Sequence, residues 1–338
     1  MKSSLGFYRI YCTAITALSS LLLTGCVIAP ITKTVTFAPV PTERIDQDSL
    51  ERRYRSAASQ FVNVDGVKVH YTDEGKGPTI VLLHGSFGSL RTFDVMANEL
   101  RRNFRVVRYD QPPAGLSGSV PKEFSGSMED FLAHFLDRVG VQQAVVLGTS
   151  SGGIIAYRFA ARYPERIRAL VLSNVPPSAP VDNAGAARRA PENLQHKLAR
   201  CAAAGEPRST ACWQVFLQFS FVRRSMLTTT LVREYTDMNR KIDSQRFSSM
   251  TPLMRDDLAV KRFLADVRAP TLLIWGTEDY VLPISTMNTM ASRLAGTKVE
   301  QVALPNVAHY PPLEAPREVT AALKKFIAKL DATGVIAP

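Results

Sequence analysis

The stretch Val145-Val-Leu-Gly-Thr-Ser-Ser-Gly-Gly-Ile154 (VVLGTSSGGI) decides the fold. A strand-like apolar run, Ala144 to Leu147, meets a helix-like one, Ile154 to Arg162 (IIAYRFAAR), with only a handful of small residues between them to reverse direction. Such a turn needs glycine wherever a side chain would collide with the next helical turn. Gly148-Thr-Ser-Ser-Gly152 satisfies G-x-S-x-G with Ser150 at its centre, whereas a frame centred on Ser151 would need glycine at 149, which is threonine. A strand-turn-helix elbow of this kind exposes its central serine at the sheet edge. Ser150 is therefore the candidate nucleophile. Ser151 follows it, and its backbone N–H at the helix N-terminus can point at a developing oxyanion.

Outward from the elbow, buried strands alternate with helices. The sequence predicts strands at Thr79–Leu83, Phe104–Tyr109, Arg168–Ser173, Thr271–Trp275 and Val299–Leu304. Helices are predicted near 90–101, 128–139, 284–294 and 317–330. Apolar strands without polar alternation, separated by helices, imply a mostly parallel sheet covered on both faces. Ahead of them, Phe61 to Tyr71 alternates around Asp65-Gly66, the pattern of an antiparallel hairpin. Residues 178–264 contain helical stretches and no strand signal, so they read as a helical cap inserted into a core made of 60–177 and 265–332.

A serine hydroxyl is a weak nucleophile at neutral pH and needs a base, which needs an orienting acid. Of the five histidines (His70, His84, His134, His196 and His309), only His309 follows a strand-end acidic loop in the chain order serine, acid, histidine. That loop, after Thr271 to Trp275, offers Asp279 and the competing Glu278, with Asp279 preferred. No His/Cys/Asp cluster has metal-ligand spacing, so neither metal nor other cofactor is expected.

These motifs resemble the alpha/beta-hydrolase superfamily, in its esterase-like branch with a helical cap. The resemblance spans residues 60–332 through HGSFG at 84–88, GTSSGG at 148–153, WGTEDYVLP at 275–283 and AHYPPLEAP at 308–316. It implies an alpha/beta-hydrolase fold in which Ser86 contributes the second oxyanion N–H and His84 supports that loop. Relatives that open epoxides or remove halide carry an aspartate at the elbow, so Ser150 points instead to acyl transfer on a small-molecule ester. Lactone, amide or carbon-carbon cleavage by the same triad stays open, although HGSFG and GTSSGG resemble neither the peptidase nor the carbon-carbon hydrolase loops. So does a ligand-binding protein with negligible turnover. One motif departs from the family: Asp110-Gln-Pro-Pro-Ala-Gly-Leu-Ser117 has Pro113 where the first glycine is expected. Proline cannot take a positive φ, so that loop must follow another path.

The N-terminus carries a separate message. Ile10 to Leu23 is apolar after the basic Lys2 and Arg9, and Leu23-Thr-Gly-Cys26 resembles the lipobox of bacterial lipoproteins. This implies a signal peptide over 1–25, an acylated (palmitate-bearing) Cys26, and anchoring to a lipid bilayer in the cell envelope, at the outer membrane facing the periplasm. Residues 26–59, rich in Pro, Thr and charge, read as a mostly extended tether. The 338-residue chain carries a net charge of +11, of which Lys2 and Arg9 would leave with the signal. The remaining excess suits anionic headgroups. With no aromatic-interleaved basic stripe, nucleic acid is not an expected partner. The sequence does not specify an oligomeric state.

Cys201 and Cys212 are the other two cysteines of the mature chain. Leu194 to Ala204 is helix-like, Gly205 and Pro207 stop it, and Ser209 or Thr210 can cap a helix from Ala211. The thiols then lie in the last and first turns of neighbouring antiparallel helices, and in an oxidising compartment a disulfide is expected. The competing reading is a reduced, buried pair. For the aromatic stretch Trp213 to Val222 two readings stand, lining of an acyl pocket or adhesion between helices.

Overall fold

In the computed structural model, described residues are 44–121, 124–177, 186, 188–205, 207–241 and 256–332. The expected signal peptide and Cys26 lie outside them. An eight-stranded sheet in the order β1-β2-β4-β3-β5-β6-β7-β8 forms the centre. β1 (Gln60–Val64) and β2 (Val67–Glu74) form an antiparallel hairpin, and β2 also runs antiparallel to β4 (Arg105–Tyr109). The other neighbours are parallel: β3 (Thr79–Leu83), β5 (Ala144–Thr149), β6 (Ile167–Ser173), β7 (Thr271–Gly276) and β8 (Val299–Leu304). This is the alpha/beta-hydrolase fold expected from the sequence.

Side-chain alternation splits the sheet into two apolar faces. Val81, Leu83, Val146, Leu170 and Leu273 pack with α3 (Met128–Arg138), α4 (Ser151–Arg162), α8 (Asp257–Asp266) and α9 (Ser285–Arg293). Ile80, Leu82, Leu147, Val171 and Ile274 face α2 (Asp94–Leu100) and α11 (Pro316–Ala332). Burial on both faces explains why these strands lack polar alternation. The predicted helix over 90–101 is divided, with a 3-10 turn at Leu90–Phe93 preceding α2.

Between β6 and β7 the described residues hold α5 (Glu192–Ala203), α6 (Thr210–Ser220), α7 (Thr229–Met238) and α8. The predicted insertion limit at 264 falls inside α8, whose Val260 and Leu264 belong to the sheet-facing core. That helix is part of the platform.

A second correction concerns the expected tether. Within 26–59, residues Gln47–Tyr54 form a helix, α1, with the Asp46 side chain accepting from Ser49 N at 2.8 Å. Leu50 is fully buried against Ile45 and Leu116. Arg53 pairs with Asp237 of α7, and Tyr54 Oη donates to the same carboxylate at 2.7 Å. With a single buried apolar residue, the segment has no periodicity to read. Its cap and tertiary partners supply the stability instead.

Candidate active site

The elbow begins where β5 ends. Ser150 has φ +50 and ψ −124, a strained conformation for a side-chain-bearing residue. The two glycines permit it. A Cβ at Gly148 would lie 2.5 Å from Gly152 O, and one at Gly152 would lie 2.4 Å from the carbonyl oxygens of Leu83 and His84. The turn, β5 and the HGSFG loop therefore share a space that only bare backbone fits.

Ser150 Oγ lies 3.0 Å from His309 Nε2, and His309 Nδ1 lies 2.7 Å from Asp279 Oδ2. Asp279 and His309 are both 4 % exposed. A carboxylate can only accept, so Nδ1–H donates to Asp279 and Nε2 is left to accept from the serine hydroxyl. Asp279 Oδ1 accepts from Val281 N at 2.7 Å, which fixes the carboxylate plane. Glu278, the other candidate, is exposed and accepts from Thr277 Oγ1 at 3.3 Å. The three sequence-selected side chains converge although Ser150 and His309 are 159 positions apart.

Ser86 and Ser151 meet across the elbow, the Ser86 hydroxyl donating to Ser151 Oγ at 3.0 Å. Among the described residues neither backbone N–H has a hydrogen-bond acceptor. His84 holds the loop from beneath. Its Nδ1–H donates to Gly85 O at 2.9 Å while Nε2 accepts from Gln111 N at 2.9 Å, and Gln111 Nε2 donates to His84 O at 2.6 Å. Burial pushes the His84 pKa down, so the ring is neutral and its tautomer fixed.

The loop containing Pro113, with a cis Pro112–Pro113 bond, is organised around Asp110. The buried carboxylate takes Leu90 N and Leu116 N at 2.7 Å each and His70 Nδ1 at 2.7 Å. Burial alone would raise this carboxyl's pKa, but the hydrogen bonds it accepts, from His70 first and from Leu90 N, help to hold it low. Gly115 takes a positive φ of +53, and a Cβ there would strike the Asp110 carboxylate at 2.1 Å.

Four contributors escaped the sequence reading. Asn174, at φ +47 after β6, donates from Nδ2 to Asp279 Oδ2 at 2.6 Å and accepts from Gly276 N at 3.1 Å. Tyr310 Oη donates to Ser86 O at 2.8 Å, and its ring meets the His309 imidazole edge-on at 4.9 Å. Phe87, at φ +64, is clamped edge-to-face by Trp213 and Phe216 of α6, each 5.3 Å away. The aromatic stretch thus fastens α6 to the HGSFG loop. Glu314, inside the quoted AHYPPLEAP motif, is 1 % exposed and accepts from Ala308 N at 2.7 Å. Phe87 and Tyr310 also lie inside quoted motifs, HGSFG and AHYPPLEAP, but their partners Trp213, Phe216 and Ser86, like the Asp279 partner of Asn174, are distant in sequence.

The cysteines sit where the helix-turn-helix reading puts them. Cys201, in the last turn of α5, and Cys212, in the first of α6, form a disulfide with a Cα–Cα distance of 5.4 Å. Ser209 caps α6 by accepting from Cys212 N at 3.3 Å.

A model of the alpha/beta hydrolase fold matches residues 78–316. A 2-hydroxy-6-oxononadienedioate/2-hydroxy-6-oxononatrienedioate hydrolase of Burkholderia vietnamiensis is 31 % identical over 258 residues, covering 68 % of this chain and 82 % of the relative. The bifunctional epoxide hydrolase 2 of Sus scrofa is 34 % identical but over only 33 % of this chain and 21 % of its own. Among solved structures, a membrane phospholipase A superposes with a TM-score of 0.66 at 25 % identity, over 84 % of this chain and 91 % of its own. With an elbow serine, a histidine and an aspartate joined at the strand ends of such a sheet, this chain belongs to the alpha/beta hydrolase fold family and is a hydrolase.

Proposed function

We propose that the protein is a serine hydrolase that cleaves carboxylic esters through an acyl-enzyme on Ser150. The observation that carries the reading is the chain of hydrogen bonds Ser150–His309–Asp279, beside the Ser86 and Ser151 backbone N–H groups that have no acceptor among the described residues. In the first half-reaction Ser150 Oγ attacks the ester carbonyl as His309 Nε2 takes its proton. The oxyanion is held by the N–H groups of Ser86 and Ser151, and the proton passes to the leaving alcohol as the C–O bond breaks. Water, deprotonated by the same nitrogen, then attacks the acyl-enzyme and releases the acid and Ser150. Asp279 keeps the proton on Nδ1 throughout.

The test is a panel of chromogenic esters of increasing acyl length and phospholipids, run with and without a serine-directed phosphonate. Hydrolysis lost in step with phosphonylation of Ser150 supports the reading. Turnover that survives complete labelling defeats it.

The Burkholderia relative favours a second reading, in which the same serine and histidine hydrolyse a 2-hydroxy-6-oxo-dienedioate. Against it stands the HGSFG loop, and the likeness to a membrane phospholipase A favours an ester. Comparing kcat/KM for both substrate classes on one preparation decides between them.

We also propose that Cys26 anchors the enzyme to the bacterial envelope through acyl chains, because Leu23-Thr-Gly-Cys26 follows an apolar run of the length a signal needs. No helix among the described residues is long and apolar enough to cross a membrane. Cell fractionation in high salt is expected to find the protein with membranes and a Cys26→Ser form released. An unchanged distribution would remove the anchor.

A further inference from the structure

Five residues beyond the base, Glu314 ends the short helix α10 (Pro311–Glu314), and its carboxylate spans two parts of the chain. Oε2 accepts from Ala308 N at 2.7 Å, and Oε1 accepts from Val222 N at 2.7 Å and Arg223 N at 2.6 Å. Residues 222 and 223 belong to the segment leaving α6. That segment touches the base directly as well, since His309 N donates to Ser220 O at 3.1 Å. Arg223 adds two outer stitches, Nε to Asn306 O at 3.0 Å and Nη1 to Glu318 Oε1 at 2.6 Å. The amides of residues 308 and 309 are therefore both held by groups that depend on the end of α6.

We propose that Glu314 is a positioning residue for His309, acting by locking the histidine loop to the end of α6 so that the imidazole stays in reach of Ser150 and Asp279 together. The proposal rests on the reading of His309 as general base. The carboxylate is buried, which raises its pKa against the partial offset of its three N–H donors. Taking a carboxylate out of water is costly, and here the compensation comes from three backbone donors, which no neutral side chain can serve equally, with a lesser share from the Arg223 charge. The span is also two-sided. Glutamine would keep the shape but has one acceptor oxygen, so its NH2 group must face either Ala308 N–H or the Val222–Arg223 pair, and one side lets go. Displacing a base by about 1 Å can cost on the order of a hundredfold in rate. The connection also gives α6, which clamps Phe87 through Trp213 and Phe216, a hold on both the HGSFG loop and the base.

The experiment compares wild-type enzyme with Glu314→Gln, Glu314→Asp and, as control, Glu318→Gln, which removes only the outer partner of Arg223. For each, kcat, KM, the rate of phosphonylation at Ser150 and the melting temperature are measured on the chromogenic ester that the wild type turns over best. Expected is a roughly ten- to hundredfold fall in kcat and in phosphonylation rate for folded Glu314→Gln, with KM little changed and Glu318→Gln near wild type. Glu314→Asp keeps the charge but is a methylene short, so it shows the same split and decides the matter if the glutamine variant does not fold. A folded variant at position 314 with wild-type kcat, or with KM alone raised, overturns the proposal. A wild type that is not labelled at Ser150 and hydrolyses no ester overturns the functional reading and this proposal with it. Labelled wild type with unaffected variants overturns the role of Glu314 alone.

Discussion

The two halves of the candidate site are built by different means. On the platform, Ser150, Asn174 and Asp279 stand at or just beyond the ends of β5, β6 and β7, where the ladder of parallel strands sets their spacing before any side chain is considered. Above it, α5, α6 and α7 have no strand to register against. They are held by the Cys201–Cys212 disulfide, the Phe87 clamp, Asp237 pairing with Arg53 and Tyr54 of α1, and the Glu314 span. Buried polar groups without a partner among the described residues occur in both layers, Trp213 Nε1 and Thr210 Oγ1 in the inserted helices and Tyr109 Oη and Ser173 Oγ on the platform. A buried polar group without a partner costs about 1–3 kcal/mol, a penalty both layers carry, so what separates them is the strand ladder. The platform is therefore expected to behave as a rigid frame, and the inserted helices as a separately ordered layer.

The largest effect should come from the platform. Ser150→Ala is expected to lower kcat by roughly 10⁵- to 10⁶-fold, while Ser151→Ala, which keeps the N–H, retains most of the activity. Ester kinetics check this, and equal losses at both positions would break the assignment of the nucleophile. Next, Asp279→Asn should lower kcat about 10⁴-fold through the wrong imidazole tautomer, the size of loss known for the equivalent change in serine proteases. Glu278→Gln should be nearly silent, and a damaging Glu278→Gln beside a mild Asp279→Asn would exchange their roles.

The third variant probes the other layer. Closing a loop of about twelve residues is worth roughly 3 kcal/mol, so Cys201→Ser should lose hydrogen-exchange protection in α5 and α6 and leave β5 and β6 protected. Loss spread evenly over the sheet would erase the distinction between the layers. Intact mass after alkylation, with and without reduction, counts the free thiols of the protein. Asn174→Ala removes a hydrogen bond to a charged group, worth about 1.5–3 kcal/mol, and is expected to cost roughly ten- to hundredfold in kcat with KM little altered. The smallest effect concerns His84. Its folded pKa lies below the unfolded value, so as pH falls through about 6.5 the unfolded chain binds a proton that the native ring refuses, and stability drops. Melting temperatures from pH 7 to 5 should fall less steeply in His84→Gln than in wild type, and identical slopes would show that the ring charges in place.

What could be read from the sequence has a common physical character. The elbow is legible because a Cβ at Gly148 would strike backbone four residues on, although Gly152 is required by the distant carbonyls of Leu83 and His84. Asp279 and His309 are legible because parallel strands bring all their carboxyl ends to one edge, so chain order and strand ends suffice to collect them. The disulfide follows from helix stop and start signals lying close together. Helix α1 has no sequence signal because Leu50 is its only buried residue, and the boundary lies before α8 rather than at 264 because the packing of α8 on α4, not its helicity, assigns it to the platform. Only tertiary structure supplies Asn174 behind Asp279, 105 positions apart, and Glu314 joined to residue 222, 92 positions apart. Local rules govern where the backbone must turn or stop. Which buried donor meets which acceptor is settled only when distant segments are desolvated together, and the contacts around Asp279 and His309 are of that kind.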